Sequence, residues 1–170
     1  MVFQVIAPRQ MRAIALGRHR VQFIYLEPAA FARTNRSAWL SELKSETGFA
    51  KIAGVELTLL DTARYFHKAG GINGAAQIVH DLGAKADARK LAAAAKEYEN
   101  SAVRRLGYLL ERFGIARQAT ALLPFATKAK STKRLDPSAK PLAAPAAGSG
   151  AGAVDAKWKL VLNVQVEIDT

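Results

Sequence analysis

The chain has 170 residues, of which 50% are hydrophobic, with no cysteine and a formal net charge of +11. Without cysteine there is no disulfide, no thiolate metal ligand and no thiol nucleophile. No apolar run approaches the roughly 20 residues that cross a bilayer. A chain of this size can bury one core, so we expect a single domain over residues 1–170 in the reducing cytoplasm.

The positive charge is concentrated in two segments. Residues 1–36 hold six arginines against one carboxylate, and residues 112–140 hold seven lysines or arginines against one carboxylate. This distribution favours a polyanionic partner or an acidic protein face. A high background of arginine in the source proteome is an equally open alternative.

The first 47 residues contain three stretches with strand patterns. They are residues 3–7, 12–16 and 21–26, and Gly17-Arg18-His19 has the composition of a hairpin turn. Pro28 ends the last stretch, because proline cannot donate to a strand ladder. In residues 29–47, the spacing of Trp39, Leu40 and Leu43 suits one short amphipathic helix.

The apolar period changes to that of helices at Val55. Glycines and a capping aspartate, Asp87, divide the following sequence into five helices. The first helix is expected to begin at residue 55 and to end at the Gly70-Gly71 pair. The other four helices are expected over residues 72–82, 88–96, 101–113 and 116–130.

The last part of the chain combines a loop and a strand. Residues 137–156 are rich in Pro, Ala, Gly and Ser and predict a flexible loop, and alternation from Trp158 to Ile168 predicts a strand. That strand needs the N-terminal strands as partners. We therefore predict an α+β fold in which about five helices pack beside one small, mostly antiparallel sheet formed by both ends of the chain.

The sequence contains no assembled catalytic or metal-binding motif. His19, His67 and His80 lie in different elements without a second ligand at metal-binding spacing. Asp61 and Arg64 are three residues apart, as in an ordinary helical ion pair. We expect no catalytic residues, no metal and no cofactor.

The helix over residues 101–113 has two distinct faces. Val103, Leu106, Leu110 and Phe113 form a stripe that predicts burial in the core. Arg104, Tyr108 and Arg112, with Arg105 beside them, share another face. That face is either a contact surface for phosphate, a base or a carboxylate, or a solvated basic face. Gly107 indicates a close crossing of another segment, since glycine inside a helix costs about 1 kcal/mol relative to alanine.

The chain carries a series of short motifs at residues 5–9, 14–17, 56–61, 70–71, 104–111 and 135–137, and at Trp158 with Asn163. In this order they resemble the C-terminal domain of AbiEi-type antitoxins of type IV toxin–antitoxin (abortive phage infection) systems. The resemblance implies a domain that counteracts a nucleotidyltransferase-like toxin. In the family this domain follows a winged-helix domain that represses the operon. We expect that domain to be missing here, either because the sequence is an excised domain or because the antitoxin stands alone.

The resemblance leads to a functional hypothesis of a non-enzymatic antitoxin that also assists operator DNA binding and autorepression. Its partners are the cognate toxin, reached directly or indirectly, and operator DNA, with no membrane involved. The alternatives are a stand-alone basic nucleic-acid-binding module of a mobile genetic element, and an enzyme acting on the toxin. The predicted contact residues are Arg9, Arg12, Arg18, Arg20, Arg104, Arg105, Tyr108, Arg112, Lys128, Lys130, Lys133 and Arg134.

Overall fold

Six α-helices and eight short strands make up the part of the chain that the computed structural model describes, residues 2–140 and 152–168. The helices are α1 (Pro28–Thr34), α2 (Val55–Arg64), α3 (Gly71–Leu82), α4 (Ala88–Ala95), α5 (Asn100–Arg112) and α6 (Ala116–Thr127). The strands are β1 (Val2–Ala7), β2 (Ile14–Leu16), β3 (His19–Tyr25), β4 (Leu40–Ser45), β5 (Gly48–Ala53), β6 (Lys133–Arg134), β7 (Val154–Asp155) and β8 (Leu160–Val161). The predicted α+β class is confirmed.

The N-terminal strands form a sheet of their own, in the order β1-β3-β2. β1 runs parallel to β3, and β2 pairs antiparallel with β3 through the predicted turn, where Gly17 has a φ of 58°. The side-chain amide of Gln4 donates to the backbone oxygen of Lys68 at 2.8 Å and so links this sheet to the helices.

Residues 29–47 differ from the single amphipathic helix that was predicted. α1 begins at Pro28, where the carboxylate of Glu27 accepts hydrogen bonds from the backbone N–H groups of Ala29 and Ala30. The residues that follow Trp39 form an antiparallel hairpin, β4 with β5. The prediction was wrong because residues 48–53 supply an adjacent strand partner, which the local spacing of apolar residues does not reveal.

α5 lies at the centre of the helical core and packs against α2, α3 and α6. Val103, Leu106 and Leu110 are fully buried, which confirms the predicted core stripe, and Phe113 packs partly buried against the same cluster. Asp87 caps α4 as predicted, accepting from the N–H groups of Arg89 and Lys90 at 2.9 Å.

The C-terminal strands form a third sheet, in the order β6-β8-β7. The predicted single sheet joining both ends of the chain is therefore wrong. β8 pairs parallel with β6 and antiparallel with β7, so strands from the C-terminal part of the chain satisfy its ladder and the N-terminal strands do not. The long predicted strand is reduced to residues 160–161. Of the predicted loop, residues 141–151 lie outside the described residues, and β7 falls within its remaining part.

Candidate nucleic-acid and partner surface

Arg105 is a buried side chain that bonds to two other segments of the core. It is 4% exposed; its Nε donates to the backbone oxygen of Leu135 and its Nη1 to that of Ala63, both at 2.7 Å. The guanidinium carbon lies 4.6 Å from the ring centroid of Phe66. Burial lowers the pKa of Arg105, and the negative charge of Asp136 opposes that shift. Arg105 thus joins α2 and the segment after α6 to α5.

Arg104 points to a different part of the chain and is also buried, at 2% exposure. Its Nη1 donates to the backbone oxygens of Ser131 at 2.9 Å and Lys159 at 3.0 Å. Because both arginines are buried, the expectation that Arg104 and Arg105 lie on an exposed face is wrong, whereas their role as contact residues stays a prediction. The C-terminal segment covers this face of α5, and helical periodicity carries no information about partners 27 to 55 residues away.

The other two members of the predicted face are more accessible. Tyr108 is partly buried against the core, and Arg112 is exposed, with its Nη2 donating to the backbone oxygen of Val166 at 3.0 Å. The neighbouring Glu111 accepts a hydrogen bond from Trp158 Nε1 at 2.6 Å and pairs with Lys157. The hydrogen bond from Lys157 has the largest effect on the pKa of Glu111, and together with the one from Trp158 it holds this pKa below its usual value.

The carboxylate of Asp61 on α2 accepts a hydrogen bond from Tyr98 Oη at 2.8 Å. Burial raises the pKa of Asp61 to about 6, against the opposing effects of that hydrogen bond and of Arg64. Arg64 itself pairs with Glu99 at 3.0 Å and lies over the ring of Tyr98. Burial therefore explains the raised pKa, and the hydrogen bond of Asp61 with Tyr98 links α2 to the segment that precedes α5.

The four N-terminal arginines of the predicted contact surface are all exposed. Arg20 is on β3, Arg18 is in the turn before it, and Arg9 and Arg12 are in the connection between β1 and β2. None of the four forms an ion pair within residues 2–140 and 152–168. They remain available to an anionic partner.

The structure brings Arg104 together with the lysines that follow α6. Lys128, Lys130 and Lys133 are exposed and line a groove of about 480 Å³ at the N-terminus of α5, with Arg104 on its wall. Arg134 is exposed in β6 but does not line the groove. Two basic surfaces result, one around the N-terminal sheet and one at the groove.

Several functional candidates escaped the sequence analysis. Asn100, Ser101 and Ser131 line the groove, and Lys159 holds its rim by donating from Nζ to the backbone oxygen of Ala129 at 2.6 Å. Asn and Ser are typical of helix starts, which was the available signal for the first two. No local pattern pointed to Lys159.

Among residues 2–140 and 152–168, no His, Asp and Glu side chains gather in groups of three or more that suit a metal ion. The three histidines lie in separate elements, as the sequence indicated. No helix within the described ranges is both long enough and apolar enough to cross a membrane.

Comparison with known proteins gives two matches. The family model of the AbiEi antitoxin C-terminal domain matches residues 1–112. The fold is similar to that in the crystal structure of the RV2827C protein from Mycobacterium tuberculosis, with a TM-score of 0.53 and 20% identity over 83% of this chain and 47% of that one. This chain thus spans about half of that protein. No curated protein matches significantly. Because the family match ends at residue 112, the resemblance in residues 135–163 stays a prediction.

Proposed function

The chain belongs to the family of AbiEi antitoxin C-terminal domains, and we propose that it counteracts a cognate nucleotidyltransferase-like toxin without catalysing a reaction. The observation that carries this proposal is the family match, which covers the N-terminal sheet and the helices up to the end of α5.

The structural roles of the motif residues support a non-enzymatic action. Glu56 Oε1 accepts a hydrogen bond from the backbone N–H of Asp87, and Asp61 accepts one from Tyr98. Arg105 and Glu111 are engaged with backbone carbonyls and with Trp158. These side chains hold elements of the fold together. This structural role accounts for the polar residues in the motifs, so no catalytic role is needed to explain them.

The antitoxin proposal includes a contact with operator DNA that assists autorepression. Its support is the pair of basic surfaces, one formed by the exposed arginines of residues 9–20 and one by the lysines of residues 128–133. Guanidinium and ammonium groups that lack carboxylate partners release counterions when they bind phosphates. The same surfaces suit an acidic face of the toxin.

Co-expression with the toxin encoded beside it tests the antitoxin proposal. We expect this chain to restore growth of cells that express the toxin, whereas a Gly107→Phe variant, whose core cannot close, does not restore it. Failure of the accumulated wild-type chain to restore growth would contradict the proposal.

A titration with purified proteins separates stoichiometric neutralisation from catalysis. Inhibition should reach completion only near equimolar chain and toxin if the two bind directly. Time-dependent inactivation of the toxin by a small fraction of an equivalent would show an enzyme and overturn the non-enzymatic part of the proposal. A direct complex would elute as one species in size-exclusion chromatography.

A further inference from the structure

The groove at the N-terminus of α5 is built from cationic and N–H donor groups. The backbone N–H groups of Asn100 and Ser101, the first two residues of α5, form no hydrogen bond within the described part of the chain. Glu99 precedes them, but its carboxylate pairs with Arg64 and does not cap the helix. A helix start without a cap presents free donors and the positive end of the helix dipole.

Arg104 provides a second, independent indication of a ligand. Its side chain is 2% exposed and lines the groove, yet its Nε has no hydrogen-bond partner in the described residues. No carboxylate among those residues lies within ion-pair distance of it. Two backbone oxygens accept hydrogen bonds from its Nη1, but no negative charge offsets that of the buried guanidinium, so an anion beside it would stabilise it.

The rim of the groove is held in place by hydrogen bonds. Lys159 Nζ donates to the backbone oxygens of Thr127 and Ala129, and Arg104 Nη1 donates to that of Ser131. The side-chain amide of Asn100 donates to the backbone oxygen of Phe125 at 2.7 Å. The backbone that carries Lys128, Lys130 and Lys133 is therefore fixed beside the helix start rather than free to swing away.

We propose that this groove is a binding site for a single phosphate group. The amides of Asn100 and Ser101 donate to its oxygens, Arg104 supplies the buried positive charge, and Lys128 and Lys130 bind from the rim. The phosphate comes either from a nucleic-acid backbone or from a free phosphate compound. The inference rests on the proposed DNA contact only for the first of these sources.

Amide chemical shifts of the ¹⁵N-labelled chain test the site with two probes, inorganic phosphate and a short DNA duplex. We expect the N–H signals of Asn100 and Ser101 to shift on addition of at least one probe. A response to phosphate and duplex indicates a general phosphate site, and a response to the duplex alone indicates a site for backbone phosphodiesters. No shift of these two signals with either probe would overturn the proposal.

Ser101→Glu is the decisive variant, because a carboxylate in the first turn favours the helix but places negative charge in the groove. We expect it to weaken binding of the responding probe by about tenfold or more, the loss of one or two charge-assisted hydrogen bonds. Ala116→Glu makes the same charge change at the start of α6, which lies outside the groove, and should leave affinity nearly unchanged. Equal weakening by both variants would show that only net charge matters and would contradict a discrete site.

Thermal unfolding of each variant checks that the fold is retained, and Lys130→Gln provides a second variant on an exposed side chain. Toxin neutralisation is measured on the same proteins. A Ser101→Glu chain that loses phosphate binding but still relieves toxicity leaves the antitoxin proposal intact. If a chain binds phosphate normally but fails to relieve toxicity, this result would contradict the antitoxin proposal and leave the proposed phosphate site supported.

Discussion

Gly107 and Trp158 are in direct contact. A Cβ atom added to Gly107 would lie 2.0 Å from Cζ3 of the Trp158 ring, far inside the distance of any real carbon contact. Trp158 is fully buried, and its Nε1 donates to Glu111, one turn further along α5. The indole thus fastens the C-terminal segment to the central helix, and the glycine is the reason that it fits.

Gly107→Ala should therefore destabilise the protein. Overpacking costs about 1–3 kcal/mol, which we expect to exceed the gain of about 1 kcal/mol from the higher helix propensity of alanine. Denaturant unfolding of the single variants and of Gly107→Ala combined with Trp158→Ala measures this. In the combined variant the added methyl group has room, so its cost should vanish. An unchanged free energy of unfolding for Gly107→Ala alone would contradict the close contact.

Arg105→Lys should lower the free energy of unfolding by about 2–4 kcal/mol, because one ammonium cannot replace two divergent guanidinium hydrogen bonds to buried carbonyls. Arg112→Lys is the matched control, since Arg112 is exposed and makes a single hydrogen bond to a backbone oxygen. Its effect should stay below about 1 kcal/mol. Similar values for both variants in denaturant unfolding would refute the structural role of Arg105.

The raised pKa of Asp61, about 6, predicts a pH dependence of stability. Between the usual pKa of 3.8 and about 6, the unfolded chain loses this proton while the folded chain keeps it, so stability falls as pH rises through this window and stays lower above it. Asp61→Asn removes that contribution and retains an acceptor for Tyr98. From pH 4 to pH 7, the variant should gain stability relative to the wild type, by at most about 3 kcal/mol.

Asp81→Asn serves as the control for this pH series. Hydrogen bonds from His80 and Gln77 hold the pKa of Asp81 below its usual value of 3.8, so its contribution to stability is lost only as pH falls below that value, and Asp81→Asn should leave the pH dependence from pH 4 to pH 7 nearly unchanged. Parallel stability curves for wild type and Asp61→Asn from pH 4 to pH 7 would show that Asp61 is not perturbed.

Asn163→Asp should destabilise the C-terminal segment. The buried amide of Asn163 accepts from the backbone N–H of Asp136 at 3.1 Å and donates to its backbone oxygen at 2.7 Å. A carboxylate can accept but cannot donate, so the partly buried carbonyl of Asp136 loses its hydrogen bond from Asn163, at a cost of about 1–3 kcal/mol. Asn35→Asp, at an exposed position, should have little effect in the same unfolding assay.

Replacing Arg9, Arg12, Arg18 and Arg20 by glutamine should weaken DNA binding and flatten its salt dependence. Each lost phosphate contact reduces the slope of log affinity against log salt by about 0.9. Fluorescence anisotropy at several salt concentrations measures the slope. Lys44 and Lys51, in the hairpin of β4 and β5, supply a control pair for glutamine substitution. If the arginine variant keeps the wild-type slope, the N-terminal arginines are not DNA contacts.

Local patterns were sufficient for the five longer helices and for the first three strands. Helix caps act over a few residues, so Asp87 correctly marked the start of α4. The Gly70-Gly71 pair lies at the start of α3, whereas α2, which it was predicted to end, already stops at Arg64. The β4-β5 hairpin and the separate C-terminal sheet were missed, because strand pairing depends on which partner is near in space. The exposure predicted for the basic face of α5 is correct for only part of that face. Arg112 is exposed, whereas Arg104 and Arg105 are covered by a segment distant in sequence.

The sequence by itself determined the α+β class, the central helix with its apolar stripe, the two basic segments and the family. These depend on residue type and short-range spacing, which the chain carries directly. Only the tertiary structure decided what the polar residues of α5 do. Arg104 and Arg105 meet backbone carbonyls supplied by residues 131, 135 and 159, as well as by residue 63 of α2. Gly107 meets the indole of residue 158. Burial and hydrogen-bond partners depend on which chain segments pack together. Arg104 and Arg105, which the sequence placed on a surface, therefore lie in the interior and hold these segments together.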